Sequence, residues 1–224
     1  MKVSLVIPVY NEEKYLKATL LAIKNQTVNP DEIIIVDNNS TDQTLAVIDG
    51  LGLKVEVISE KQQGMTFARN AGFNVAEYEV IARVDADTIP PPDWIKRIKE
   101  DFDKYPVDGL TGPVYFSGQL FKSTLYARLL FAVSRLLNGG HNVLLGPNMA
   151  IKKTVWEKIK FQVCTDNKKV HEDIDLAIHI KKAGGKIMVD NSLVVAASDR
   201  RIKNNPLSFF TEYPVRFIRT FLNH

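Results

Sequence analysis

At 224 residues, with 45% apolar and 25% charged side chains, the chain has the make-up of a globular domain with a substantial core and little room for disorder. A formal net charge of +3 is too weak to argue for nucleic acid, and the single cysteine, Cys164, excludes an internal disulfide and a cysteine-based zinc site. A reducing, cytoplasmic setting is therefore expected.

The opening run VSLVIPV reads as a strand, not as a signal peptide, because it meets Pro8 and acidic residues in place of a small-residue cleavage site. In EEKYLKATLLAIKNQ, Leu16, Leu20 and Ile23 keep the i, i+4, i+7 spacing of one buried helix face. Then come EIIIVD, continuously apolar from Ile33 to Val36 as a strand covered on both sides would be, and the helical TDQTLAVIDGL. KVEVISE, MTFARNAGFNVAE and EVIARVD continue the alternation. Successive β-α-β units with right-handed crossovers predict an α/β fold: a Rossmann-like, mostly parallel central sheet flanked by helices.

After about residue 106 the pattern becomes mixed. DGLTGPVYF reads as a strand, 119–137 as a dense helix, NVLLGPNMAI as a strand, 154–159 as a helix, and EDIDLAIHIKKAGG as a helix ended by its glycines. No stretch reaches the roughly 18 apolar residues of a membrane span. The expectation is a single domain over 1–224, with a nucleotide-binding half at 1–105, an acceptor-binding half at 106–200 and a basic aromatic tail at 201–224.

Ligands of open α/β sheets sit outside the carboxyl ends of the strands, and the polar clusters of this sequence fall there. Tyr10, Asn11 and Glu12 follow the first strand, Asp37 to Asp42 the second, Glu60 to Gly64 the third, and Asp85 and Asp87 the fourth. In Asp85-Ala86-Asp87, side chains two apart on extended backbone project to one side, so both carboxylates reach one hard cation such as Mg2+ or its bound diphosphate. Turn-forming caps before Pro90 to Pro92 would look the same.

Ser40 or Thr41 is a natural cap for the helix that follows, whereas Asp37 stands at the strand end, where a carboxylate accepts a hydrogen bond from a nucleobase imino group. His171-Glu172-Asp173-Ile174-Asp175 opens a helix whose dipole favours acidic residues in any case. A carboxylate there, Asp173 by choice, also suits a general base that takes a proton from an attacking hydroxyl. The His-Glu-x-x-His spacing of a zinc protease is missing, as are the glycine-rich dinucleotide fingerprint, the P-loop and the G-x-S-x-G elbow.

In this order and at these intervals, VIPVYNEE, IIIVDNNSTD, ARNAG, DAD and ED resemble the family 2 glycosyltransferases of GT-A fold, over about residues 3 to 185. The resemblance implies that Pro8, Tyr10 and Glu12 shape a base and ribose pocket and that Asp37 contacts the base. It implies Asp85 beside the nucleoside, Asp87 as the ligand of Mg2+ or Mn2+ on the diphosphate, and Asp173 as the catalytic base of an inverting transfer. Arg69 would support the aspartate pair or the phosphates, Arg200 and Arg201 would clamp the diphosphate as a lid, and Asn148 and Glu172 would face the acceptor. Many members carry two adjacent aspartates after the second strand where this chain has Asp37-Asn38, so the donor is a UDP or a GDP sugar.

The implied acceptor is a glycan or a lipid-linked hydroxyl, with a polyprenyl-phosphate sugar synthase and a non-catalytic nucleotide-sugar scaffold as alternatives. The tail FFTEYPVRFIRTFLNH spaces Tyr213, Phe217 and Phe221 four apart beside Arg216 and Arg219. That pattern suits either peripheral contact with the inner face of a membrane or packing on the protein's own core.

Overall fold

The computed structural model describes residues 1–116, 124–166, 170–204, 215–222 and 224, without the side chains of 124–128, 130, 201 and 202. In the first half, strands and helices alternate as β1 (Val3–Val9), α1 (Leu16–Lys24), β2 (Glu32–Asp37), α2 (Thr44–Asp49), β3 (Glu56–Ser59), α3 (Met65–Val75) and β4 (Val80–Arg83). A two-residue strand β5 (Thr88–Ile89) and helix α4 (Trp94–Lys104) lead to β6 (Gly109–Thr111) and β7 (Val114–Phe116). The remainder is α5 (Thr124–Leu137), β8 (Met149–Lys152), α6 (Lys153–Ile159), α7 (Glu172–Lys182), β9 (Ile187–Val189), β10 (Val195–Ala197), α8 (Arg200–Asn204) and a last helix α9 (215–222).

Seven strands form the main sheet in the order β3-β2-β1-β4-β8-β6-β9, with β8 antiparallel to both neighbours; β5, β10 and β7 make a small second sheet. The period-two pattern divides the core. Leu5, Ile7, Ile33, Ile35, Val80 and Ala82 pack with α1 and α4 on one face, while Val6, Ile34, Val36 and Ile81 pack with α3, α6 and α7 on the other. Helix α3 lies so close that a Cβ on Gly72 would stand 2.4 Å from Val6 Cγ1. The glycine of ARNAG thus brings Arg69, one turn earlier, against the sheet.

Some expectations change. DGLTGPVYF is two strands in two sheets, because the chain crosses between them at Gly112, where a Cβ would lie 2.0 Å from the Leu193 carbonyl. NVLLGPNMAI is a buried loop up to Asn148, its turn closed by Asn148 N–H on the Leu145 carbonyl at 2.9 Å, and only then β8. Helix α4 was not anticipated. Gln43 stands at the N-cap of α2, and Asp42 Oδ1 accepts Thr44 N–H at 2.9 Å in the role expected of Ser40 or Thr41. Ser40 Oγ accepts Asn11 N–H at 3.1 Å instead, and Thr44 Oγ1 accepts Glu12 N–H at 2.7 Å, so the loops after β1 and β2 are locked together.

The first part of the expected 119–137 helix, and Tyr213 of the tail, lie outside the described residues. Phe217 and Phe221 pack against the α3-side core, and Thr220 Oγ1 accepts His171 N–H at 2.8 Å, so the aromatic stripe folds inward; Val215, Ile218 and Leu222 are its exposed apolar face. Among the described residues no helix is long and apolar enough to cross a membrane.

Candidate active site

β1 lies between β2 and β4, so the chain leaves neighbouring strand ends in opposite directions and a crevice opens at this switch point. A cavity of about 260 Å³ there is lined by Pro8 near the end of β1, Tyr10 and Glu12 after it, Asn38 after β2, Asp85 and Asp87 after β4, and Arg200 of α8. A wider hollow of about 740 Å³ beside α4 is shallow and holds none of the sequence-predicted residues.

Within the crevice, Arg200 Nε stands 2.9 Å from Asp87 Oδ2, its other arm pairs with the Glu12 carboxylate, and its guanidinium lies 4.6 Å above the Tyr15 ring. Two carboxylates from different strand ends therefore already converge on one cationic group. These hard oxygen donors, set in a crevice with room for waters, fit a Mg2+ or Mn2+ ion. Asp85 turns the other way and accepts from Arg83 Nη2 at 2.8 Å.

Behind Asp85 lies a buried ion network. Arg83 is at the end of β4, on the α3 side of the sheet, and Arg69 meets it from α3; both are essentially without solvent exposure. Glu172, first residue of α7, sits between them, with Oε1 2.5 Å from Arg83 Nη1 and Oε2 2.5 Å from Arg69 Nη1. Its backbone carbonyl also accepts from Arg69 Nη1 at 2.7 Å. Burial works against the Glu172 charge, but Arg83 and Arg69 outweigh it and hold the carboxyl below its ordinary range.

This network fixes the first turn of α7 and with it Asp173. Asp173 Oδ2 accepts Gly146 N–H at 3.0 Å and Oδ1 accepts Ile174 N–H at 2.9 Å, leaving lone pairs for a proton. Burial, and next the charge of Glu172, push its pKa above the ordinary carboxylate value, the direction a general base at neutral pH needs.

The family model for glycosyl transferase family 2 matches residues 4–163. The chain belongs to glycosyltransferase family 2. An uncharacterized glycosyltransferase of Nostoc is 39% identical over 114 residues, a match covering 49% of this chain and 35% of the relative. The solved mannosyltransferase of Pyrobaculum calidifontis, in complex with GDP-Man and Mn2+, superposes with a TM-score of 0.76 at 20% identity, over 99% of this chain and 63% of that one. The S. aureus TarS structure with UDP-GlcNAc gives 0.66 at 22% identity, over 88% and 58%. The architecture is the GT-A fold, and the chain spans about a third of the length of the first curated relatives it matches.

On this family 2 framework, Pro8, Tyr10, Glu12, Asp85, Asp87 and Arg200 all line one crevice. Asp37 does not line it: the residue is buried opposite Val9 in register and its Oδ1 holds the turn by accepting Ser40 N–H at 3.1 Å. Its neighbour Asn38 lines the crevice and clamps the loop before α3, donating to the carbonyls of Glu60 and Gln62 at 2.8 Å each and accepting Gly64 N–H at 2.8 Å. An aspartate there would lose both donors, which accounts for the departure from an adjacent aspartate pair. The side chain of Arg201 lies outside the described residues.

Two acceptor expectations need correction. Asn148 is wholly buried: Oδ1 accepts from Trp94 Nε1 at 2.8 Å, and Nδ2 donates to the carbonyls of Leu193 at 2.6 Å and Pro113 at 3.2 Å. It ties three segments together and presents nothing to an acceptor. Glu172 is committed to the two arginines. Arg83 escaped the sequence reading, although an arginine inside a buried strand, two residues before Asp85 and so on its side of the strand, is a signal of a paired charge.

Proposed function

We propose that this transferase moves a sugar from a UDP or GDP donor to a hydroxyl of a glycan or lipid-linked acceptor, with inversion and with the help of a divalent metal. The observation that carries this reading is the convergence of Glu12, Asp85, Asp87 and Arg200 at the β1/β4 switch point, joined through Arg83 and Glu172 to a half-buried Asp173. Similar folds holding GDP-Man with Mn2+, or UDP-GlcNAc, support the donor class.

In this scheme Asp87, with Glu12 near it, would hold the metal, which when bound would supply positive charge against the negative charge growing on the leaving group. Pro8 and Tyr10 bracket the nucleoside, and Asp37, buried behind the crevice, holds the turn that presents Asn38 to it. Asp173 accepts the acceptor's hydroxyl proton as the oxygen attacks the anomeric carbon; the bond from that carbon to the diphosphate breaks, and its electron pair leaves with the nucleoside diphosphate. At about 260 Å³ the crevice is smaller than the usual few hundred Å³ of a ligand pocket, so Arg200 leaves Asp87 as the donor enters and clamps the diphosphate.

The test is nucleoside diphosphate release from a panel of UDP and GDP sugars, with Mn2+ or Mg2+ and with chelator. Metal-dependent release from one donor, lost in Asp87→Asn, supports the reading. Tight donor binding with no hydrolysis or transfer under any metal would instead make the chain a scaffold.

A further inference from the structure

Further along α7 from Glu172, three groups meet that the transfer reaction does not use. Asp175 and His179 stand four apart on the helix, and His224 approaches them from beyond α9. One ligand atom from each lies within 4.8 Å of the other two. Asp175 is fully buried, and its Oδ2 is held by Cys164 N–H at 2.9 Å, which leaves Oδ1 to both imidazoles. His224 Nε2 lies 2.7 Å from Oδ1, and His179 Nε2 3.6 Å from it.

His179 is the telling residue. It is 7% exposed, and neither ring nitrogen has a hydrogen-bond partner among the described residues. A buried imidazole in that state has lost its water without compensation, whereas an ion beside Asp175 would give it a partner.

We propose that Asp175, His179 and His224 bind a divalent transition ion of the zinc class, which clasps α9 and the residues after it to α7. The donor set, two imidazoles and a carboxylate, is the borderline one that zinc, cobalt and nickel prefer, unlike the oxygen-only ligands at Asp87. A tetrahedral zinc with bonds of about 2.0–2.1 Å sets its ligand atoms about 3.3 Å apart, near the 3.6 Å found for His179. The 2.7 Å pair has to open by about half an ångström as the ion replaces the shared proton. Two imidazoles on one such ion have ring centroids about 5 Å apart, and these rings are 5.0 Å apart at 89°. Cys164 N–H on the distal oxygen of Asp175 is the kind of outer contact that fixes a ligand's direction. Lys182 Nζ, 3.4 Å from His224 Nδ1, has to swing into solvent when the ion binds, since that nitrogen then carries the proton.

Titration of metal-free protein with Co2+ tests this without any activity. One equivalent should produce the strong visible absorption of tetrahedral cobalt, displaced by Zn2+, lost in His179→Gln and in His224→Gln, and retained in Asp87→Asn. Zn2+ should also raise the melting temperature of the wild type and leave that of His224→Gln unchanged, both chains having the same far-ultraviolet circular dichroism without metal. Absence of the tetrahedral band in the wild type, its survival in either histidine variant, or its loss in Asp87→Asn overturns the proposal.

Discussion

Replacing Glu172 by glutamine leaves Arg69 and Arg83 buried beside each other without the carboxylate between them. In the wild type that carboxylate makes contacts of 2.5 Å to each guanidinium, while the side chains of Arg69 and Arg83 are 0% and 2% exposed. Removing one partner from a buried ion network costs about 3–5 kcal/mol, mainly because the remaining charges stay out of water. Asp85 keeps hold of Arg83 at 2.8 Å, so the lower end applies, about 3 kcal/mol. For a chain of this length that is a fall of about 6–12 °C in melting temperature.

Urea denaturation at pH 7 measures the loss, with Arg97→Ala as a control. The half-exposed Arg97–Asp93 pair should contribute under about 1 kcal/mol. Because the folded protein holds Glu172 below its ordinary value near 4.5, its stabilisation is complete above that pH and lost as the pH falls through the lower, folded value. The gap between wild type and E172Q should therefore close in acid. A loss at pH 7 no larger than that of the Arg97 control, or a gap that ignores acid, would refute the reasoning.

Asp173→Asn should lower transfer by about 10²–10⁴-fold while donor affinity, read by calorimetry, stays as in the wild type. Asn148→Ala should cost about 2–3 kcal/mol in urea, because the buried Trp94 N–H loses its acceptor, with donor and acceptor KM unchanged. Asp101 behaves oppositely to Glu172: burial first, then Asp190 and Glu100, push its carboxyl up to about 6. Its charge destabilises the folded protein above that pH, and protonation relieves this as the pH falls toward 4. Asp101→Asn should thus be more stable than the wild type at pH 7.5, by about 1 kcal/mol once solvent screening is allowed for, and equal to it near pH 4, as melting curves at both pH values will show.

The first four strands and the helices between them are written in the sequence because each signal there is local. Ile33 to Val36 is apolar throughout since both faces of β2 are covered, and Leu16, Leu20 and Ile23 share one face of α1. What escaped depends on partners distant in the chain. DGLTGPVYF has the pattern of one strand, and only the carbonyl of Leu193, pressed against Gly112, divides it between two sheets. Asn148 lies in a run that reads as a strand and was assigned to the acceptor, yet its partners are Trp94, Pro113 and Leu193. Helix α4 did carry a local signal, with Trp94, Ile95, Ile98 and Phe102 on its buried face, but only Asp93 separates it from three prolines that suggested only a turn.

The candidate site divides in the same way. Asp85, Asp87, Tyr10 and Glu12 follow strand ends that the topology forces together, so their meeting was foreseeable. That Arg200 reaches Asp87 and Glu12 follows from the small second sheet, whose strand β10 pairs with β5 and delivers the start of α8 over the crevice. Glu172 was assigned outward to an acceptor because its two arginines, 103 and 89 residues away, are invisible to any pattern along the chain.

The metal-bound diphosphate beside Asp87 is best tested by anomalous diffraction from crystals grown with Mn2+ and the nucleoside diphosphate that the release assay selects. The account predicts a manganese peak about 2.0–2.3 Å from the Asp87 carboxylate, bridged to the diphosphate, with Arg200 withdrawn from Asp87 onto the phosphates. Manganese bound away from Asp87, or a nucleotide seated outside the crevice while Arg200 keeps its place, would contradict it.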